Sequence, residues 1–165
     1  MSNVNINSAA VDSLLNQLGD KEQANRILFN AVKDGARVLQ QTTKNFFKRA
    51  MGESANHISR HTNKPFADGV TLKSDKSYIE ATVSIMGDHR MKWFELGTRN
   101  RYTKGRKIVG YAKGRKLRLE REGKGHFTGS IVGKYFFRAA RQSGNGAVND
   151  AIKQSINNAL SKLGK

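Results

Sequence analysis

Two histidines, His57 and His61, are four residues apart in the segment HISRH, a spacing that would place both rings on one face of a helix. A zinc protease helix needs a glutamate between its histidines and a third ligand nearby, and the sequence offers neither here. Two solvated histidines are the simpler interpretation. His89 follows Asp88 and His126 lies among glycines, which favours solvent-facing or interface groups over acid–base catalysts. We therefore expect no metal site.

The glycine-rich segment GRKIVGYAKGRK, residues 105–116, invites comparison with a phosphate-binding loop. It lacks the order GxxxxGK followed by Ser or Thr, and no long helix is predicted after it. The carboxylates are scattered, without the spaced pair that two-metal or glycosidase chemistry needs. The chain has no cysteine, so a thiol nucleophile and a disulfide framework are excluded. The sequence predicts a protein that is not an enzyme and needs no cofactor.

Positive charge is the strongest compositional feature of the chain. Thirty Lys and Arg stand against thirteen Asp and Glu, which gives a net charge of +17. The 26 residues from Arg99 to Lys124 alone carry eleven cations and two acids. A concentrated positive field attracts polyanions, because each phosphate contact releases condensed counterions. Nucleic acid is the expected partner class, with solubility and an acidic protein surface as the alternatives.

Apolar residues at helical spacing predict three helices. The first runs from Ser8 to Leu18 and ends at Gly19, so that residues 1–19 form an N-terminal segment. Asp20 is a candidate N-cap for the longest helix, from about Lys21 to Ala50. The third is an amphipathic C-terminal helix from Val148 to Leu163, after the turn-like SGNG at 143–146.

Alternating patterns predict a small sheet between these helices. Residues 52–64 are polar and end at Pro65, which predicts a loop. GVTLKS and SYIEATVSIMG are predicted strands, with SDKS at 74–77 as their turn. WFELGT at 93–98 is a third core segment, either strand or a short turn of helix. SIVGKYFFRAA at 130–140 is a predicted strand that runs into the start of a helix.

Two short runs, KIVGYA and KLRLER, are separated by Lys113 and Gly114 and predict a hairpin within a basic arm at 99–128. Their many charges and glycines favour a hairpin that projects. At 165 residues the chain predicts one domain, residues 1–165, without a membrane span or membrane partner. The fold class is α+β: a long N-terminal helix and a C-terminal amphipathic helix packed on a small antiparallel sheet, with a projecting basic hairpin.

KWFELGTRNRYTKGRK, followed by GKYFFRAA and the final amphipathic helix, resembles the head–tail joining proteins of tailed bacteriophages, also called neck or tail-completion proteins. That family's pattern is an aromatic-E-x-G-T segment, a variable loop, and an aromatic-F-x-x-A start to the last helix. The matching residues are Phe94, Glu95, Gly97 and Thr98, then Phe136, Phe137, Arg138, Ala139 and Ala140. Lys134 and Tyr135 stand where many members have a proline before the second motif, and the intervening segment is longer and more basic than usual.

The resemblance implies a structural virion protein that forms a ring between the DNA-filled head and the tail tube. Its partners would be other copies of the chain, connector and tail proteins, and channel DNA through non-specific phosphate contacts. The basic hairpin would face channel DNA, or reach an adjacent subunit or an acidic partner ring. The alternative is a small basic nucleic-acid-binding protein of ribosomal or nucleoid type. A phage-encoded nuclease would need metal-dependent turnover that these residues do not support.

Individual residues receive roles on this interpretation. Glu95 pairs with an arginine or caps the turn at Gly97 and Thr98, and Gly97 supplies a backbone angle that other residues resist. Leu96, Trp93 and the motif aromatics pack in the core or form a subunit interface. That core or interface set is Trp93, Phe94, Glu95, Gly97, Thr98, Phe136 and Phe137. The candidates for DNA or anionic-partner contact are Arg99, Arg101, Lys104, Arg106, Lys107, Lys113, Arg115, Lys116 and Arg118.

Overall fold

The computed structural model describes residues 21–163, apart from 103–105, 109–110, 113–114, 117–118 and 122–126. Between 102 and 127 the description extends to backbone pairing only. The predicted helix at 8–18, its stop at Gly19 and the N-cap Asp20 lie outside the described residues. The chain divides into two compact units: the first holds the residues up to Met91 and those from Tyr135 onward, and the second is Lys92–Lys134.

Helix α1 spans Lys21–Met51 and confirms the longest predicted helix within one residue at its end. It forms because apolar residues recur every three or four positions and give one continuous buried face. Gly52 follows with φ +57, the left-handed conformation that commonly ends a helix at a glycine. The buried face consists of Ala24, Ile27, Leu28, Ala31, Val32, Gly35, Ala36, Leu39, Thr43 and Phe47.

Helix α3 spans Phe136–Leu163 and packs along α1. Ala31 and Leu39 of α1 form a buried cluster with Val148 and Ile152 of α3. At its start, the ring of Phe136 lies 4.8 Å from that of Phe47, centroid to centroid. These contacts between two long helices form the main core of the first unit.

The predicted turn at SGNG was wrong, because residues 143–146 lie inside α3. Gly144 is buried against α1, and a Cβ there would lie 3.5 Å from Cγ2 of Thr42. Ser143 lies within the helix, and its hydroxyl donates to the carbonyl oxygen of Ala139, four residues earlier, at 3.0 Å. Packing of the two helices therefore overrides the weak helix propensity of Gly and Ser.

Replacing Gly146 with Ala should raise the free energy of unfolding by about 0.5–1 kcal/mol, because glycine is a poor helix former and the site is open. No heavy atom of its surroundings lies within 4 Å of a Cβ at position 146. The same change at Gly35 should destabilise, since its Cβ would lie 2.6 Å from Cγ1 of buried Ile152. Urea denaturation of both variants measures the difference, and equal shifts in one direction would contradict this account of the helix pair.

Strands β1, Thr71–Asp75, and β2, Glu80–Ser84, pair antiparallel from Thr71 opposite Ser84 to Asp75 opposite Glu80. The sheet predicted between the helices is confirmed, but the turn lies at 76–79 rather than at 74–77. Asp75 Oδ1 accepts a hydrogen bond from the Ser77 amide at 2.8 Å, which starts the turn. Ile79, expected in the second strand, has φ +50 and belongs to the turn. Alternation alone did not reveal this boundary.

The segment between α1 and the sheet contains two 3-10 helices, Gly52–Asn56 and Phe66–Gly69. Ile58 and Pro65 form an isolated antiparallel bridge between them, and no helix crosses Pro65, as predicted. The loop prediction for residues 52–64 missed the first 3-10 helix.

A buried ion pair holds this loop to the end of the sheet. Asp88, 1% exposed, accepts hydrogen bonds from Nε and a terminal nitrogen of Arg90, each at 3.0 Å. Ser59, also buried, donates its hydroxyl to Asp88 Oδ2 at 2.5 Å, and Arg90 contacts the same hydroxyl. The Arg90 guanidinium lies 4.8 Å from the ring centroid of Phe66. Two segments that are distant in the sequence are thus joined through one carboxylate. We call Ser59, Asp88 and Arg90 the Asp88 cluster.

The second unit contains the end of a short helix and a long hairpin. Helix α2, Met91–Leu96, confirms the helical alternative for WFELGT. The strands pair as nested ladders, with β3 (Arg101–Tyr102) on β8 (Phe127–Gly129), β4 (Arg106–Ile108) on β7 (Leu119–Arg121), and β5 (Tyr111–Ala112) on β6 (Arg115–Lys116). The predicted hairpin is confirmed by this pairing, although Lys113 and Gly114 lie outside the described residues.

The strand predicted from Ser130 was wrong. Strand β8 ends at Gly129, and residues 130–135 have no regular structure before α3 begins at Phe136. Their backbone groups bond to the end of α2 instead of to another strand. We call residues 130–134 the return segment.

Candidate functional site

The first motif, residues 93–98, covers the end of α2 and its exit. Gly97 has φ +78 and donates its amide to the Trp93 carbonyl oxygen at 2.8 Å, which closes the helix. Thr98 donates its amide to the Ile131 carbonyl oxygen at 2.9 Å. Its side-chain oxygen accepts the Ile131 amide, also at 2.9 Å. Thr98 therefore fastens the motif to the return segment by two reciprocal bonds.

Gly97 and Gly133 bring the two backbones into direct contact. A Cβ at Gly97 would lie 2.7 Å from the Ile131 carbonyl oxygen and 2.8 Å from the Gly133 nitrogen. A Cβ at Gly133 would lie 2.8 Å from the carbonyl carbon of Leu96. Lys134 then donates its amide to the Phe94 carbonyl oxygen at 2.8 Å. The base of the hairpin is thus held by backbone bonds that need glycine at both points of contact.

Replacing Gly97 with Ala should lower stability by about 2 kcal/mol or more, because the left-handed angle and a backbone clash both oppose a side chain. The matched control is Gly129→Ala, where φ is +86 but no heavy atom lies within 4 Å of the added Cβ. That control should lose about 1 kcal/mol, the cost of the angle alone. Thermal unfolding of both variants measures the difference, and equal losses would show that the backbone contact contributes nothing.

The remaining motif residues differ in exposure. Phe136 lies in the core of the first unit, and Phe137 is half-buried. In the second unit Glu95 is buried and Phe94 is half-buried. Trp93 and Leu96 are exposed, so the expectation of core packing does not describe their side chains in the isolated chain.

The candidate anion contacts belong to the hairpin and its base. Arg99 and Arg101 are exposed, and Arg101 opens β3 opposite Gly129. The ladder places Arg106 opposite Arg121 and Lys107 opposite Glu120, while Arg115 and Lys116 form β6. Lys104, Lys113 and Arg118 lie outside the described residues. All described members of this set except Arg99 therefore lie on the strands of one hairpin.

The three described histidines, His57, His61 and His89, do not gather into a metal site. His61 and His89 meet edge to face with ring centroids 5.2 Å apart, whereas residues 57–65 contain no helix that could pair His57 with His61. Within the described ranges, no group of three or more His, Cys, Asp or Glu side chains could hold a metal ion. Nor does the described part of the chain contain a helix long and apolar enough to cross a bilayer.

A cleft of about 610 Å³ lies between α1 and α3. Asp34 is its one acidic lining residue, and both of its oxygens are engaged. One accepts from Arg37 at 2.8 Å and the other from the Ser155 hydroxyl at 2.9 Å. Through its bond to Ser155, this carboxylate joins α1 to α3.

Sequence reasoning missed the Asp88 cluster and the partners of the first motif. Ser59 precedes Asp88 by 29 residues, and no periodic pattern links them. Ile131 and Gly133 had been assigned to a strand, so their bonds to Thr98 and Gly97 were not expected. The positive φ of Gly97 was the one part of this geometry that the residue type itself indicated.

Comparisons with protein-family models, with curated proteins and with solved structures find no match to this chain.

Proposed function

We propose that the chain is a structural virion protein of a tailed phage, a ring subunit of the head–tail connector that joins the head to the tail around the DNA channel. The observation that carries the proposal is the closed base of the basic hairpin. The first motif is bonded through Thr98 and Phe94 to the return segment, which leads directly into the second motif. The first motif of the resemblance therefore closes the base of one cationic hairpin, and the second motif follows the return segment in the sequence.

Electrostatics supports this role. A channel that passes DNA must accept any sequence, and phosphate contacts from Lys and Arg are independent of sequence. Both arms of the hairpin carry cations, for example Arg106 in the outgoing arm and Arg115 and Arg121 in the returning arm. A ring multiplies this charge by its subunit number. Each contact can then be weak and exchangeable, as the passage of DNA requires.

The partners follow from the same proposal. Other copies of the chain complete the ring, connector proteins bind its head side, and tail proteins bind its other side. The protein acts in the virion after assembly in the host cytoplasm. On this proposal its work is binding and positioning rather than catalysis.

The net charge of +17 also favours a nucleic-acid-binding protein of ribosomal or nucleoid type. Sedimentation at increasing protein concentration, with electron microscopy of the same samples and DNA titration at several salt concentrations, separates the two functions. A ring subunit forms annular oligomers and binds DNA weakly as a monomer. A nucleoid-type protein stays monomeric and binds tightly, with affinity falling steeply as salt rises. Monomers with tight DNA binding would overturn the connector proposal.

A further inference from the structure

Large apolar side chains are exposed where α2 meets the return segment. Leu96 is 58% exposed, Val132 is 74% exposed and Trp93 is 39% exposed. Leu96 and Val132 each adjoin one of the two glycines whose backbones touch, so they lie close together on the surface. Grouped apolar exposure marks interaction sites more often than scattered apolar residues do. We call Trp93, Leu96 and Val132 the apolar patch.

Exposed cations lie near the residues of the apolar patch in the sequence. Lys92 precedes Leu96 by four residues, the spacing of neighbours on one helix face. Lys134 follows Val132 by two residues, and Arg99 follows the motif; all three cations are exposed. The nearby carboxylate, Glu95, is buried. A complementary surface would therefore present an apolar side chain between negative charges.

The turn between β1 and β2 presents an apolar side chain between negative charges. Tyr78 is 79% exposed, the largest fraction among the large apolar side chains of the described residues. Asp75 and Glu80 flank it, directly opposite each other in the ladder, and both are exposed. With Lys76 included, residues 75–80 carry a net charge of −1 in a chain of +17. We call Asp75, Tyr78 and Glu80 the acidic tip.

The two carboxylates of the acidic tip have only local hydrogen bonds among the residues that the structure covers. Asp75 accepts from the Ser77 amide at 2.8 Å, and Glu80 accepts from the Thr82 hydroxyl at 3.1 Å. Neither forms a salt bridge with any described residue. Like charges opposite each other weaken a ladder, so a positively charged neighbour would be favourable here.

We propose that the acidic tip of one copy binds the apolar patch of a second copy, with Tyr78 against Leu96 and Val132. The carboxylates of the tip then face Lys92 and Lys134. This inference rests on the proposed ring and names the contact between its neighbouring subunits. The two surfaces differ, so each copy offers one of each and the contact repeats from copy to copy until the ring closes.

Charge complementarity favours a second copy as the occupant. Two chains of net charge +17 repel each other over most of their surfaces, so a self-contact needs a local reversal of sign. The acidic tip supplies that reversal, and the cations around the apolar patch supply its complement. An unrelated acidic protein could bind the same patch, and the test below separates that partner from a second copy.

The test uses two charge-reversed variants, Asp75→Lys with Glu80→Lys, and Lys92→Glu with Lys134→Glu. Each variant alone should raise the dissociation constant for self-association at least tenfold, measured by sedimentation velocity. An equal mixture should recover assembly, because each reversed tip then meets a reversed patch. Tyr78→Ser, which changes no charge, should weaken association similarly. Circular dichroism of each variant checks that the fold is kept.

The matched control for the tip variant is Glu53→Lys with Asp150→Lys, which shifts the net charge in the same direction and by the same amount at exposed positions elsewhere. It should assemble like the wild type, and loss of assembly in this control would overturn the inference by showing a dependence on net charge only. Assembly that survives both reversed variants, or a mixture that does not recover, would also overturn it while leaving the ring itself intact. A wild-type protein that stays monomeric would overturn both the contact and the proposed function.

Discussion

Replacing Asp88 with Asn should lower the free energy of unfolding by about 3 kcal/mol, the cost of leaving a partly buried guanidinium without its counter-charge. Asp88 is 1% exposed and accepts two hydrogen bonds from the Arg90 side chain and one from the Arg90 amide. Asn retains the size and one acceptor oxygen but not the charge. The loss therefore reports the ion pair rather than a cavity. Urea denaturation, with unchanged circular dichroism before unfolding, measures it.

The matched control is Asp68→Asn. Asp68 pairs with Lys44 at 2.9 Å, but 47% of its side chain is exposed to water. Exposed pairs contribute about 0–1 kcal/mol, because solvent screens them and ordering the side chains has an entropic cost. Equal losses in the two variants would contradict the structural importance of the Asp88 cluster.

Lowering the pH should remove the stability that the ion pair between Asp88 and Arg90 contributes. Hydrogen bonds from the Arg90 side chain hold the pKa of Asp88 well below its usual range, against the opposing effect of burial. A carboxyl group whose pKa is lower in the folded state contributes stability above its unfolded pKa of about 3.9, and this stability is lost as the pH falls towards the folded pKa. The difference in unfolding free energy between wild type and Asp88→Asn should therefore shrink below about pH 4. A constant difference from pH 6 to pH 2.5 would contradict this origin.

On the connector proposal, neutralising the hairpin should abolish most infectivity of the phage that the proposal implies as the source of the chain. The variant replaces Arg106, Lys107, Arg115 and Lys116 with Gln, and so removes four cations from described strands. Each lost phosphate contact reduces the slope of log affinity against log salt by about 0.9, so duplex DNA should bind the assembled protein with a slope lower by about 3–4. Plaque counts and DNA titration at several salt concentrations measure the two effects.

The control for the hairpin variant removes two arginines and two lysines from exposed positions elsewhere, Lys48, Arg60, Arg141 and Lys153. Its net charge is identical, so it separates the location of charge from the amount. Infectivity should stay near the wild-type level in this control. If phages that carry either variant infect equally well, the position of the cations on the hairpin does not matter for infection.

Helix α1, the part of α3 from Val148 onward and the hairpin could be predicted from the sequence because their signals are local. In α1 a continuous three-and-four spacing of apolar residues spans the whole helix. The alternating runs on either side of Lys113 and Gly114 predicted the hairpin, in which the structure pairs Tyr111 with Lys116. Residue type also predicted the positive φ of Gly97.

The features that escaped prediction depend on contacts distant in the sequence. SGNG at 143–146 has turn chemistry but lies in a helix, because Gly144 packs against α1. Residues 130–134 resemble a strand, yet their amides and carbonyls complete the end of α2. The Asp88 cluster joins residues 29 positions apart without any repeating pattern. In each case tertiary packing decided between local alternatives of similar energy.

The most direct test of the connector role is electron microscopy of particles made by the encoding phage when this gene is deleted. The account predicts DNA-filled heads and separate tails, with joining restored when the protein is supplied from a plasmid. Complete, tailed and infectious particles in the absence of the protein would contradict it.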